Sequence, residues 1–248
     1  MDVLHFLFGI FGNATALFLF LAPTITFKKI ILSKTTQQFS GIPYVMTMLN
    51  CLLSAWYGLP FVSKNNILVS TINGTGAVIE SIYVVVFIIY APKKEKGKIL
   101  GLSTFVLTVF CAVAFVSLFA LHGNPRKLFC GFAASIFSII MYASPLSIMR
   151  MVIRTKSVEF MPFFLSLFVF LCGTSWFVFG LLGHDPFVSV PNGFGCGLGA
   201  IQLILYFIYR NNKGAPKQTT NDESLELGLE KPNKNKQLNA NGAQEGHV

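Results

Sequence analysis

The stretch Asn73-Gly74-Thr75-Gly76 lies in one long apolar run, residues 67–91, and Asn192-Gly193-Phe194-Gly195 lies in another, residues 187–209. A side-chain amide is costly to place in hydrocarbon unless it forms hydrogen bonds or binds a ligand. Because the same amide and the same two glycines occur twice, we expect a duplicated unit and one site built from its two matching halves.

The apolar runs around these motifs are typical of a membrane protein. Hydrophobic residues make up 53% of the 248 residues, charged residues make up only 12%, and 26 residues are phenylalanine. Apolar runs of about 20 residues are long enough to cross a bilayer as helices. We predict seven transmembrane helices, at residues 6–27, 44–62, 67–91, 99–121, 128–149, 161–182 and 187–209.

Basic residues predict the orientation, because positively charged loops stay on the cytoplasmic side of a membrane. With the N-terminus outside, 16 of the 19 lysines and arginines lie inside, and only Lys64, Arg126 and Lys127 lie outside. The net charge of +9 is then a consequence of topology, and no nucleic-acid partner is expected. Residues 211–248 are polar and lack aromatic side chains, so we expect a disordered cytoplasmic tail.

The first three predicted helices correspond to the last three. The two copies share a proline late in the first helix, a proline at the start of the second and an asparagine in the third. These pairs are Pro23 and Pro145, Pro43 and Pro162, and Asn73 and Asn192. Each copy carries its basic loop after its first helix, so both copies have the same orientation, and a fourth crossing must separate them. The predicted fold is therefore an all-α membrane protein in which two parallel three-helix repeats flank a linker helix (3+1+3).

The repeat divides the chain into four parts. The first three-helix repeat covers residues 1–92, and a linker that contains transmembrane helix 4 covers 93–127. The second repeat covers 128–210, and the tail covers 211–248.

Several motifs make residues 6–210 resemble the plant SWEET sugar transporters of the PQ-loop group. They include Gly12-Asn13-Ala14-Thr15, Gln38-Phe39-Ser40-Gly41-Ile42-Pro43-Tyr44, Trp56-Tyr57-Gly58, Tyr142-Ala143-Ser144-Pro145-Leu146 and Pro191-Asn192-Gly193. The combination of Ser54 and Trp176 resembles clade I, the glucose-transporting members. The resemblance implies facilitative, bidirectional sugar transport by alternating access at the plasma membrane, in a protein that self-associates into a homo-oligomer.

Four residues are candidates for substrate binding: Asn73, Asn192, Ser54 and Trp176. Each asparagine offers two donors and an acceptor, which suit neighbouring hydroxyls of a glucose-like monosaccharide. The alternative is that the amides only join helices to one another. Trp176 could stack on a sugar ring opposite the small Ser54, whereas many membrane tryptophans simply face lipid or the interface.

The candidate gates lie at the two ends of the helices. A transmembrane proline alone is usually a tolerated kink, but four at matching positions suggest paired hinges. The resemblance implies an inner gate at Pro23, Pro43, Pro145 and Pro162. It also implies an outer gate at Tyr57 and Asp185, although the loop position of Asp185 alone favours a solvated carboxylate. Glycines that allow either movement or close packing there are Gly58, Gly180 and, more weakly, Gly131.

A receptor, a proton-coupled carrier and an enzyme are the alternatives to a uniporter. A seven-helix receptor of the G-protein-coupled type would have no internal repeat, and usually has a disulfide in its outer loops. A proton-coupled carrier would need a titrating group, for which Glu80 is the candidate, although a structural hydrogen bond is the favoured role of Glu80. The four histidines are scattered and no C-x-x-C occurs, so we expect no enzyme, no metal and no cofactor.

Overall fold

The computed structural model describes residues 2–37 and 39–212, and its regular secondary structure in these ranges is helical. The helices are α1 (Val3–Leu21), α2 (Thr24–Ser33), α3 (Ile42–Tyr57), α4 (Ile67–Tyr90), α5 (Lys93–Phe115), α6 (Gly123–Ile140), α7 (Ala143–Thr155), α8 (Phe163–Leu182) and α9 (Pro186–Tyr209). A π-helical turn, Val116–Ala120, extends α5. From residue 213 onward the predicted tail lies outside the described residues.

Six helical segments among the described residues are long and apolar enough to cross a bilayer: α1 with α2, α4, α5 with its π turn, α6 with α7, α8 and α9. The remaining predicted span, 44–62, is shorter than expected. It corresponds to α3, whose 16 residues end at Tyr57 and cover about 24 Å at 1.5 Å per residue. Gly58 follows as the C-cap and Pro60 comes two residues later, an order that stops helices.

Prolines break the first and fifth predicted spans, since proline lacks an N–H and its ring clashes with the preceding turn. Pro23 is the N-cap of α2, and Pro145 lies in the first turn of α7. The helix resumes after each break and runs beyond the predicted limit, to Ser33 and Thr155. Basic residues that were assigned to loops, including Lys28, Arg150 and Arg154, therefore lie on helices.

The helices pack with the symmetry that the repeat predicts. In the first repeat α4 lies between α1 and α3, and in the second α9 lies between α6 and α8. The repeats meet through two equivalent contacts, α1 with α8 and α6 with α3. Helix α5 packs on α3 and α4 of the first repeat. The predicted 3+1+3 fold of seven transmembrane helices is confirmed, and α5 is a linker beside the bundle.

Matching polar contacts join the first and third helices of each repeat. Asn13 Nδ2 donates to the Leu68 carbonyl at 3.1 Å, and Ser135 Oγ donates to the Phe187 carbonyl at 3.0 Å. Asn13 precedes Ser135 by 122 residues and Leu68 precedes Phe187 by 119, which are also the offsets of the proline and asparagine pairs. The two repeats therefore share contacts as well as helix order.

Candidate functional site

A cavity of about 190 Å³ lies between the two repeats. Both repeats supply its wall, through α1, α3 and α4 on one side and α6, α8 and α9 on the other. The four predicted binding residues all line it: Ser54, Asn73, Trp176 and Asn192. None of its lining residues carries a formal charge. The lining suits a neutral small molecule that can form hydrogen bonds.

The two asparagines adopt equivalent positions in the cavity wall. Asn73 Nδ2 donates to the Val69 carbonyl at 2.9 Å, and Asn192 Nδ2 donates to the Val188 carbonyl at 2.8 Å. Each bond connects the amide to the preceding turn of its own helix, which fixes the side-chain orientation. Among the described residues, the second N–H and the Oδ1 of each amide make no hydrogen bond, so both can serve a ligand.

The second glycine of each N-G-x-G motif, Gly76 and Gly195, has a packing role that the sequence alone did not specify. A Cβ at Gly76 would lie 2.6 Å from the Phe20 ring, and a Cβ at Gly195 would lie 2.6 Å from the Tyr142 hydroxyl. Phe20 and Tyr142 are themselves repeat counterparts, 122 residues apart. These glycines therefore admit an aromatic ring close to the asparagine-bearing helix in each repeat.

Trp176 and Ser54 face the cavity from different repeats. The indole is buried, packs edge to face on Phe179 with ring centroids 5.1 Å apart, and lies against Gly12 of α1. A Cβ at Gly12 would come within 2.8 Å of the indole Cε2. The ring is thus held by protein on one side, and it gives the cavity a flat aromatic wall that Ser54 does not provide in the other repeat.

Two polar residues of the cavity wall were missed by the sequence analysis. Ser138 Oγ of α6 donates to Asn50 Oδ1 of α3 at 2.8 Å, a bond between the repeats. The 122-residue offset pairs Asn50 with Cys172 and Ala16 with Ser138, and all four line the cavity. The signal for both in the sequence is a polar residue whose repeat counterpart is not polar.

Tyr57 and Asp185 meet at the end of the bundle where α3 ends and α9 begins, which we call the outer end after the predicted orientation. The Tyr57 hydroxyl donates to the Asp185 carboxylate, 2.6 and 2.8 Å from its two oxygens. Asp185 is only 2% exposed. It also accepts hydrogen bonds from Asn66 and Ser63, and Lys127 Nζ lies 3.5 Å from its Oδ2. The loop position of Asp185 favoured a solvated carboxylate, and that expectation is wrong because these partners bury it.

The three glycines near this end are sites of close packing. A Cβ at Gly58 would lie 2.6 Å from the Ser70 nitrogen, and one at Gly180 would lie 2.7 Å from the Ser189 Cα. A Cβ at Gly131 would meet the Phe187 ring at 2.5 Å. Gly58 with Ser70 and Gly180 with Ser189 form matching pairs, so the second and third helices of each repeat approach closely beside Tyr57 and Asp185.

The four predicted hinge prolines lie where helices break or begin. Pro43 occupies the first turn of α3, and Pro162 is the N-cap of α8, as predicted. Pro162 is exposed, whereas Pro23, Pro43 and Pro145 are half-buried. Helices α2 and α7, which follow the breaks, pack on α4 and α9 of their own repeats.

Glu80 lies on α4 away from the cavity wall. It is 3% exposed, and its Oε2 has no hydrogen-bond partner among the described residues. The expected structural hydrogen bond is therefore absent at that oxygen. Its repeat counterpart is Gly199, where a Cβ would lie 2.7 Å from the Phe170 Cα. Only the first repeat therefore has a carboxyl group at this position.

Comparisons with known proteins agree with this architecture. The family described as "Sugar efflux transporter for intercellular exchange" matches residues 6–95 and 128–214, one match in each repeat. The bidirectional sugar transporter SWEET1 of Arabidopsis thaliana is 77% identical over 214 residues, which cover 86% of this chain and 87% of that protein. The bidirectional sugar transporter SWEET1a of Oryza sativa subsp. japonica is 68% identical, over 86% of this chain and 78% of that protein.

More distant relatives extend the same pattern. The bidirectional sugar transporter SWEET2a of Oryza sativa subsp. indica is 47% identical over 84% of this chain and 86% of that protein. A 3.7 Å structure of a eukaryotic SWEET transporter superposes with a TM-score of 0.83 at 46% identity. That match covers 85% of this chain and 99% of the other. Two family matches, extensive identity and a shared fold agree, and this chain belongs to the SWEET family of sugar efflux transporters.

Proposed function

We propose that this protein is a bidirectional, facilitative uniporter of a glucose-like monosaccharide. The observation that carries the proposal is the uncharged cavity between the repeats, with Asn73 and Asn192 on matching helices and Trp176 beside them. The relatives described as bidirectional sugar transporters support it.

The chemistry of the cavity restricts the substrate class. Amides and hydroxyls supply donors and acceptors to a polyhydroxylated molecule, and an aromatic face covers the apolar side of a sugar ring. Its lining residues offer no fixed charge for an ion. The substrate is therefore neutral, and its own gradient drives transport in either direction.

Alternating access follows from the two ends of the bundle. The hydrogen bond between Tyr57 and Asp185 supports an outer gate at these residues, and the four prolines would provide the hinges of the inner end. Movement of one repeat against the other would break the outer contact while the inner ends approach. The cavity between the repeats would then open to each side in turn.

We also propose the finer organisation of the chain. The repeats are 1–92 and 128–210, the linker is 93–127, and 211–248 is a cytoplasmic tail. The N-terminus lies outside, the membrane is the plasma membrane, and the protein forms a homo-oligomer. Protease protection of tags placed at either end, in intact and permeabilised cells, tests the orientation.

Radiotracer hexose uptake into transport-deficient cells tests the proposed activity. We expect saturable glucose uptake and efflux, with labelled glucose displaced by unlabelled hexoses in a competition panel. Absence of uptake and efflux for every sugar tested, with the protein at the cell surface, would refute the proposed transport function and favour the receptor alternative.

Trp176→Leu should alter sugar selectivity. The substitution removes the aromatic wall and enlarges the cavity, and we expect glucose affinity to fall about tenfold, as loss of a stacking contact worth about 1.4 kcal/mol implies. Competition by a disaccharide should rise in the same variant. The matched control is Trp56→Leu, because Trp56 lies outside the cavity wall and packs on Phe61 and Phe110. Equal sugar selectivity in the two variants would show that Trp176 does not contribute to sugar binding.

Glu80→Gln should leave transport intact. The substitution conserves shape and removes the carboxyl group proposed as a proton carrier in the alternative, so we expect glucose uptake within about twofold of the parent, a change below 0.5 kcal/mol. The measurement is sugar and proton flux in proteoliposomes, with Glu159→Gln as an exposed control. Stoichiometric proton uptake that disappears in Glu80→Gln would establish the proton-coupled alternative.

A further inference from the structure

Asn66 and Asp185 are equivalent residues of the two repeats. They are 119 residues apart, as Asn73 and Asn192 are, and they occupy the N-cap positions of α4 and α9. Equivalent residues of a two-fold arrangement can touch only where they lie close to the axis. Asn66 Nδ2 donates to Asp185 Oδ2 at 2.7 Å, which places this pair at the centre of the outer end.

The side chain of Asn66 does not cap its own helix. An N-cap asparagine commonly accepts a hydrogen bond from the first turn, but Asn66 makes no such bond to α4. It is 3% exposed, and its Nδ2 donates to Ser63 Oγ at 2.6 Å and to Asp185. Asp185 does cap its helix, because Oδ1 accepts from Phe187 N at 3.0 Å. The amide of Asn66 is therefore committed to the contact between repeats.

The pair is chemically complementary because it is not identical. A carboxylate only accepts hydrogen bonds, and an amide can donate to it. Two carboxylates at this distance would repel one another in a buried site. Two amides would leave the Tyr57 hydroxyl and the Lys127 ammonium group without a negative partner. The outer end can close because one of the two equivalent positions carries an amide and the other a carboxylate.

We propose that Asn66 is a positioning residue of the outer gate, which holds the Asp185 carboxylate against Tyr57 and releases it when the cavity opens outward. The gating role rests on the proposed transport function. The contact itself requires no substrate, so its strength can be measured without sugar.

The test is the access of an impermeant thiol reagent to the cavity from outside. Cys172 lines the cavity and is the reporter, and Cys172→Ser gives the background. Asn66→Asp places a second carboxylate against Asp185, and we expect external labelling of Cys172 to become at least tenfold faster. The matched control is Asn65→Asp, which adds the same charge at an exposed neighbour whose left-handed backbone (φ 65°) also accommodates aspartate.

A charge exchange separates gating from a general loss of structure. The double variant Asn66→Asp with Asp185→Asn restores one carboxylate and one amide, and we expect labelling within about threefold of the parent. Asn66→Ser retains a good N-cap residue but is too short to reach Asp185, and should give an intermediate rate. If Asn66→Asp does not reach the membrane, the labelling rate of Asn66→Ser tests the gating role of Asn66 in its place.

Two results would overturn the assignment of Asn66. One is labelling of Asn66→Asp, or of Asn66→Ser in its place, at the rate of Asn65→Asp. The other is a double variant labelled as fast as Asn66→Asp. Lack of sugar uptake by the parent would refute the proposed function, but it would leave the labelling comparison valid.

Discussion

Asn192→Ala and Asn73→Ala should each abolish sugar uptake while the protein still reaches the membrane. Each substitution removes a bidentate hydrogen-bonding group from the cavity wall, and two neutral hydrogen bonds at about 1 kcal/mol each already account for roughly 30-fold in affinity. The matching amide cannot compensate, because it lies on the other repeat and would contact different hydroxyls of the sugar. Initial rates of radiolabelled glucose uptake, normalised to surface protein, provide the measurement.

Stability measurements distinguish ligand binding from helix packing. Each amide donates to a carbonyl of its own helix, and intramembrane hydrogen bonds contribute about 0.6 kcal/mol on average, so both variants should unfold close to the parent temperature. The control is Asn13→Ala, since Asn13 joins α1 to α4 through the Leu68 carbonyl and Thr71 hydroxyl. Asn13→Ala should lower the unfolding temperature more than it lowers the affinity for sugar. Normal uptake in both cavity variants would refute the site.

The positions of the site residues could be predicted because they recur at nearly constant offsets. Asn73 and Asn192 were located by repetition, and the structure brings both to one cavity. Pro23 and Pro145 were predicted as hinges within continuous spans, and the structure shows a helix break at each of them. The continuation of the helix to Ser33 and Thr155 could not be predicted, because basic side chains near a membrane surface reach water equally well from a helix or from a loop.

Two other features that were not predicted do have a signal in the sequence. The early end of α3 is marked by Gly58 and Pro60. Asn50 and Ser138 are polar where their repeat counterparts, Cys172 and Ala16, are not. In contrast, the contact between Asn66 and Asp185 depends on the distance of these residues from the repeat axis. A sequence offset relates equivalent positions but does not give that distance, so only the structure could show the contact.

Asp185→Asn should impair transport by weakening the closed outer end. Asparagine conserves the shape and the N-cap of α9, but it removes the charge that Tyr57, Asn66 and Lys127 share. A hydrogen bond to a charged group contributes about 1.5–3 kcal/mol, so loss of even one shifts the ratio of closed to open states by more than about tenfold. Because a cycle requires both states, we expect slower net uptake and efflux, together with faster external labelling of Cys172.

Tyr57→Phe is the matched variant from the other repeat. It removes only the hydroxyl that donates to Asp185 and retains the buried ring, so it should shift the same equilibrium in the same direction. If the two residues act through their mutual bond, the double variant should be little worse than Asp185→Asn alone. Fully additive losses would mean that Asp185 acts through Asn66 and Lys127 instead. Unchanged labelling and unchanged uptake in both single variants would show that opening does not require this contact to break.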